Sequence, residues 1–437
     1  MKKIIMLFMV LPINAWADGD CATTHHVPTD EMTLSEVIEM GLCRNPQTSA
    51  AYMALQSARY SKNATHSVYL PTFSGSAGAN RSHTDHDDWD YSASISASYL
   101  VFDFGKRESD FAETLAMYRA TGFDYDDTIQ NYVYSVIGAY YALLIADADV
   151  EAAKSALTVA QTAKNVADKK FKAGAVAKAD VYKADTTLAS SQLSLERARN
   201  NRQIAKGTLL NSLSFPADQE IQIKDMPANF GSDTEIENID ELISIAQKQR
   251  PDLLKATAQT SAAFHRKNSA FLKNLPSFSV HGDINVNDTT VGGMFDNMSM
   301  KAKGQFGVSI SMPIFTGFSN FYNARAANAD YENAKYIEHS ISNNVMMDVF
   351  TAYQNYKTAK TVLNQTHALL KSAIENERVT SGMYQVGRAT MLDWQTAQSE
   401  LVDARKQNNS AKYDLFVKRA AVALSIGNIK SGLKDKK

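Results

Sequence analysis

One duplication constrains this chain more than any other feature. Tyr69-Leu70-Pro71-Thr72-Phe73-Ser74 returns as Asn274-Leu275-Pro276-Ser277-Phe278-Ser279, 205 positions later. Phe171-Lys172-Ala173-Gly174 returns as Tyr384-Gln385-Val386-Gly387, now 213 positions later. At that offset Asp180 meets Asp393, Leu188 meets Leu401, and Val136 with Ala139-Tyr140 meets Val349 with Ala352-Tyr353. The offset grows between the two landmarks, so the second copy carries a longer insertion there. Arg44-Asn45-Pro46 and Gln249-Arg250-Pro251 open the two copies. A long internal repeat means one supersecondary unit used twice, each copy burying surface against the other.

Proline placement then sets the length of the elements. No proline lies between Pro71 and Pro216, or after Pro313. Proline breaks helix interiors, so its absence permits very long helices. Each copy reads in the same order. A helix spans about 34–67, and its counterpart about 239–273. Two strands follow, then a helix over about 107–172 or 320–385, then a return helix over about 180–213 or 392–425. Ile129, Val133, Val136, Tyr140 and Leu143 step by four and three, the spacing of a coiled-coil seam. Asp147 is a polar break in that seam, and Val150 resumes it. Val345, Val349, Ala352, Tyr356, Ala359, Leu363 and Thr366 step likewise. A helix of about 65 residues is about 100 Å long, which demands a rod or tube.

The strands alternate. Phe278, Val280, Gly282, Ile284 and Val286 are separated by Ser279, His281, Asp283 and Asn285. Phe306, Val308, Ile310 and Met312 alternate with Gln305, Gly307, Ser309 and Ser311. In the first copy Phe73, Gly75, Ala77 and Ala79 alternate with Thr72, Ser74, Ser76 and Gly78. Ala93, Ile95, Ala97 and Tyr99 alternate with Ser92, Ser94, Ser96 and Ser98. Such alternation gives each sheet one apolar and one polar face. A soluble sheet packed on a helix shows the same pattern. Two facts favour a membrane barrel. Strands of about 12 residues cross a bilayer when tilted. Tyr69, Trp89, Tyr91, Tyr99, Phe315 and Phe318 sit where an aromatic girdle lies. Four strands close no barrel, and an open edge in lipid leaves backbone groups without partners. The chain is therefore expected to oligomerise, and a wet lumen lined by serine and asparagine suits twelve strands from three copies better than a packed eight.

The ends and the composition narrow the compartment. Lys2 and Lys3, the apolar run Ile4 to Leu11 and Ala15-Trp16-Ala17 read as an export signal over residues 1–17. The first repeat then spans 18–225 and the second 226–427, with a basic tail at 428–437. No later run is apolar and uncharged enough to read as a membrane helix. The two cysteines, Cys21 and Cys43, can form one disulfide in an oxidising compartment, or remain free thiols. A net charge of −2 gives no footprint for nucleic acid. No zinc-binding His-Glu-x-x-His, phosphate-cradling glycine loop or nucleophile elbow occurs, so an enzyme is not expected. The acidic loop of His83, Asp85, His86, Asp87, Asp88 and Asp90 reads as solvated, with a metal site as the alternative. Asn285 to Met300 is its longer counterpart.

In their duplicated order these elements resemble the TolC family of outer-membrane efflux and type I secretion channels. The matching stretches run from Thr33-Leu34-Ser35-Glu36-Val37 to Arg44-Asn45-Pro46, then through Leu70-Pro71 and Leu275-Pro276. Phe102-Asp103-Phe104-Gly105, Ile314-Phe315-Thr316-Gly317 and the turns at Gly174 and Gly387 complete them. The resemblance implies a mainly helical protomer that trimerises into a twelve-stranded outer-membrane barrel continuous with a twelve-helix periplasmic tunnel. It also implies a periplasmic adaptor (membrane fusion) protein, an inner-membrane transporter of pump or ABC type, and no cofactor.

The resemblance further implies a gate at the periplasmic tips. Asp393 falls on a family gate aspartate, Tyr384 on the gate tyrosine and Asp180 on its first-copy partner. The family's deeper carboxylate aligns with Thr396 and its gate arginine with Ala389, although Arg388 is adjacent. The plainer reading is that Asp180 and Asp393 cap the return helices. Lys172, Gly174, Val176, Val386, Gly387 and Met391 are the expected adaptor contacts. Two other functions compete with the duct. A periplasmic or secreted coiled-coil scaffold would need no bilayer, and a diffusion porin would need no tunnel-length helices.

Overall fold

The computed structural model describes residues 30–83, 87–225, 238–291 and 301–429. Helices α1 (Leu34–Arg44) and α2 (Pro46–His66) lead into strands β1 (Thr72–His83) and β2 (Asp87–Phe102). The long helix α3 (Lys106–Lys172) and return helix α4 (Lys178–Ser212) complete the first copy. The second repeats the order with α5 (Ile239–Gln249), α6 (Pro251–Leu272), β3 (Ser277–Val291), β4 (Lys301–Ser311), α7 (Ser319–Gln385) and α8 (Met391–Ser425).

The expected opening helix of each copy is two helices. Asn45 (φ −68°, ψ 125°) and Arg250 (φ −69°, ψ 121°) are extended. Each precedes a proline, whose ring disfavours the helical region for the residue before it and whose nitrogen donates nothing. Asn45 then caps the new helix, accepting the Gln47 amide at 2.7 Å.

The two long helices hold 67 residues each, about 100 Å of continuous helix. Along the seams Ile129, Val133, Val136, Tyr140, Leu143, Val345, Val349, Ala359 and Thr366 are buried, and Ala352, Tyr356 and Leu363 are half-buried. The polar break at Asp147 is filled by Arg202 of α4, whose guanidinium pairs with the carboxylate. The main core lies partway along α3. There α1 and the end of α4 close over Tyr132, Val136 and Tyr140 with Leu209, Leu210, Leu213 and Phe215. The Tyr140 hydroxyl donates to the Lys224 carbonyl at 2.5 Å, and Met32 bridges Ile223 alongside. One 18-residue stretch of α3 reaches a mean hydropathy of 1.4, counter to the expectation that no helix would be so apolar. Half of it is buried, so packing within the protomer accounts for its character.

The four strands form one antiparallel sheet in the order β1-β2-β3-β4, so β2 and β3 join the two copies. The register sorts the faces. Gly75 faces Ile95, Ile95 faces Ile284, and Ile284 faces Gly304. On the other face Ser76 faces Ser94, Ser94 faces Asn285, and Asn285 faces Lys303. Serine pairs bridge this polar face, Ser74 to Ser96 at 2.7 Å and Ser279 to Ser309 at 2.7 Å. The apolar face is bare: Phe306 is 80% exposed and Phe73 74%. Among the described residues the outer edges of β1 and β4 pair with nothing.

The strands are longer than expected at the loop end. His83 pairs with Asp87, and Asp88 and Asp90 also lie in β2, so much of the expected acidic loop is ladder. Residues 84–86 lie outside the described residues. Likewise β3 runs on through Val291, taking the first part of the expected second loop. At the other end the chain turns from strand to long helix through paired left-handed residues, Phe104-Gly105 and Gly317-Phe318. Asp103 and Arg107 lock the first such corner. The Arg107 amide donates to the Asp103 carboxylate at 2.9 Å, and its guanidinium donates to the Leu100 and Val101 carbonyls.

Candidate functional site: the helical tips

Both long helices end in the same backbone device. Gly174 (φ 72°) and Gly387 (φ 79°) follow the last turn in left-handed geometry. The Gly387 amide donates to the Tyr384 carbonyl at 3.1 Å and the Arg388 amide to the Met383 carbonyl at 2.8 Å. The first tip repeats this with Gly174 to Phe171 and Ala175 to Lys170. Glycine is needed because this turn requires a positive φ.

The tips diverge where the return helices begin. At the second tip Thr390 and Asp393 form a capping box. The Thr390 amide and hydroxyl donate to the Asp393 carboxylate at 2.8 and 2.7 Å, and the Asp393 amide donates back at 3.2 Å. The Thr390 hydroxyl, and then its amide, hold the Asp393 carboxyl below the ordinary carboxylate range. At the first tip Ala177 stands where Thr390 does, and no side chain caps α4. Of the two aspartates expected to cap, only Asp393 does.

Tyr384 is buried within the protomer, at 2% exposure. Its ring lies 5.1 Å from that of Trp394, and the Lys170 ammonium sits 4.3 Å from the ring centre. Lys170 also donates to the Tyr384 carbonyl, tying the two hairpins together. The Tyr384 hydroxyl finds no partner among the described residues. Burial pushes it up, and the nearby Asp180 carboxylate adds to the shift. Arg388 is exposed and joins the turn through its backbone. The four expected gate residues thus share one end of the molecule without a mutual side-chain hydrogen bond.

Of the expected contact residues, Lys172, Gly174, Val386 and Gly387 are exposed and Val176 is half-buried. Met391, the remaining one, is 2% exposed and packed with Trp394, Tyr384, Ala163, Ala167 and Ala184 beneath the turn. A residue at the first position of α8 points back along the helix toward the turn, so it closes the tip from inside. Sequence reasoning passed over Trp394, which organises this cluster and donates to Glu377 at 3.0 Å. Its signal was a tryptophan beside a helix-to-helix turn, where few large side chains stand. Cys21 lies outside the described residues, while Cys43 lies in the last turn of α1. Among the described residues no group of three metal-ligating side chains gathers.

This architecture has known counterparts. The family model described as outer membrane efflux protein matches residues 37–214 and 242–428. Toxin and drug export protein A of Aggregatibacter actinomycetemcomitans is 23% identical over 90% of this chain and 86% of its own length. Outer membrane protein TolC of Vibrio cholerae is 24% identical over 98% of this chain and 96% of its own. Among solved structures, CusC superposes with a TM-score of 0.81 at 18% identity, over 90% of this chain and 92% of that one. The open state of the Neisseria gonorrhoeae channel MtrE gives 0.76 at 20% identity, over 92% and 89%. With both copies matched across most of its length, the chain belongs to the outer membrane efflux protein family, the TolC-type channels.

Proposed function

We propose that this chain is the exit duct of a tripartite export system, assembled as a homotrimer. One observation carries the reading. A four-stranded sheet with a bare apolar face and two open edges is continuous with helices of 67 residues. Edges of that kind are costly in lipid, and pairing β4 of one copy with β1 of the next removes them all. Three copies then give twelve strands with the serine and asparagine face inward. The periplasmic end is the helical tips, which meet an adaptor protein linked to an inner-membrane transporter.

Asp393, Tyr384, Asp180 and Arg388 form the gate region in this reading. Capping and gating are compatible at Asp393. The hydrogen bonds from Thr390 keep the carboxylate ionised, and three such charges around the axis favour cations. Lys172, Gly174, Val176, Val386 and Gly387 face the adaptor. Planar-bilayer recording of the purified protein tests the duct. It is expected to give discrete conductance steps with cation preference, weakened in Asp393→Asn. Protein that gives no steps would favour the coiled-coil scaffold.

A further inference from the structure

The two tips share a backbone and differ in charge. Residues 164–185 hold six lysines and three aspartates, whereas the matching residues 377–398 hold two arginines and two acids. Lys164 is spent on Asp168 and Asp185, at 3.2 and 2.7 Å. Lys170 is spent on Tyr384. Lys169, Lys172, Lys178 and Lys183 are all exposed, and none pairs with a carboxylate among the described residues. Lys178 lies only near the Tyr182 ring, at 5.5 Å.

Helix electrostatics explain part of this set and leave the rest. Lysines in the last turn of α3 complement the negative end of its dipole. Lys178 occupies the first position of α4, where the dipole disfavours a cation. Ala177 also forgoes the side-chain cap that the second tip has. Asp180 in the same turn complements the dipole, and six lysines against three aspartates leave the first tip with a net positive charge. The second tip offers apolar surface instead: Val386 is 71% exposed and Leu392 57%.

We infer that the two tips are sockets of different chemistry, and that the first takes an acidic helical tip of the adaptor. The inference rests on the export-duct reading. The lysine socket supplies charge complementarity, and with it orientation and rate of encounter. The second socket takes an apolar side chain on Val386 and Leu392. An adaptor tip seated in both sockets has only one orientation, because the two chemistries do not interchange.

Two synthetic helical hairpins with one apolar loop test this, one carrying four glutamates beside the loop and the other four lysines. Binding of each to the detergent-solubilised full chain is measured at low and high salt. Four exposed ion pairs, each weak alone, favour the glutamate hairpin by about ten-fold at low salt. That preference should collapse at about 0.5 M salt. It should vanish in the Lys169→Gln/Lys172→Gln/Lys178→Gln/Lys183→Gln variant. Val386→Ser/Leu392→Ser should weaken both hairpins alike. Equal binding of the two hairpins, binding of neither, or a preference that survives the glutamine variant would overturn the proposal. Conductance of the same preparation reports separately on the duct.

Discussion

Thr390 and Asp393 hold each other at the start of α8, while Ala177 and Asp180 at the matching positions of the first copy make no such exchange. The consequence is a pH window. The folded Asp393 carboxyl titrates below its ordinary 3.8, so its stabilisation is complete above that value and lost as pH falls through the folded one. Amide protection at Asp393 and Trp394, corrected for intrinsic exchange, should hold from about pH 7 to 5 and fall below about pH 4. Thr390→Ala should lower the protection at neutral pH and flatten this dependence. An unchanged profile in that variant would refute the box as its cause.

Trp394 and Tyr384 predict opposite outcomes on truncation. Trp394 is a large, fully buried side chain in the cluster beneath the second tip, so Trp394→Ala should cost about 3–5 kcal/mol. The Tyr384 hydroxyl is buried without a partner among the described residues, so Tyr384→Phe removes a desolvated group and loses no hydrogen bond. Its melting temperature should not fall below that of the parent protein. A loss of about 1 kcal/mol or more in unfolding free energy would mean the hydroxyl is bonded in the assembled protein.

The sheet faces predict a sharp asymmetry. Ile284 and Phe306 lie on the bare apolar face, where an arginine at bilayer depth costs about 2–4 kcal/mol. Ile284→Arg or Phe306→Arg should deplete the protein from the outer membrane. Ser94→Arg, on the polar face beside Asn285, should leave its abundance unchanged. Equal loss from both faces would contradict the assignment of lumen and lipid sides, and loss from the serine face alone would reverse it.

Much of this protein is legible from residue order. The seams and the strand alternation follow from periods of 3.5 and 2, and the duplication from repeated residues; the structure keeps the repeated order of elements. The errors have local causes. Each opening helix was read straight through Pro46 or Pro251, where the residue before the ring is forced out of helical geometry. The Asp-rich run after His83 looked like loop because charge disfavours strands, yet cross-strand pairing with β1 and β3 overrides that preference. Asp147 looked like a weakness in the first seam. Its partner Arg202 stands 55 residues away on another helix, and pairing at that distance leaves no periodic trace.

The tips were legible as turns and only partly as sites. Gly174 and Gly387 announce positive φ, and the repeat offset aligns everything around them. Which side chains point inward was not readable. Met391 and Tyr384 go into the protomer because Trp394 provides the surface they pack on, a contact between residues on either side of a turn. Three-dimensional neighbours of that kind carry no spacing signal.

The mass of the mature protein in detergent, measured by native mass spectrometry after outer-membrane fractionation, tests the central claim most directly. Open edges on β1 and β4 require partner strands, and twelve strands around a wet lumen require three copies. The account predicts a detergent-requiring particle of three chains in the outer-membrane fraction. A water-soluble monomer or dimer would contradict it.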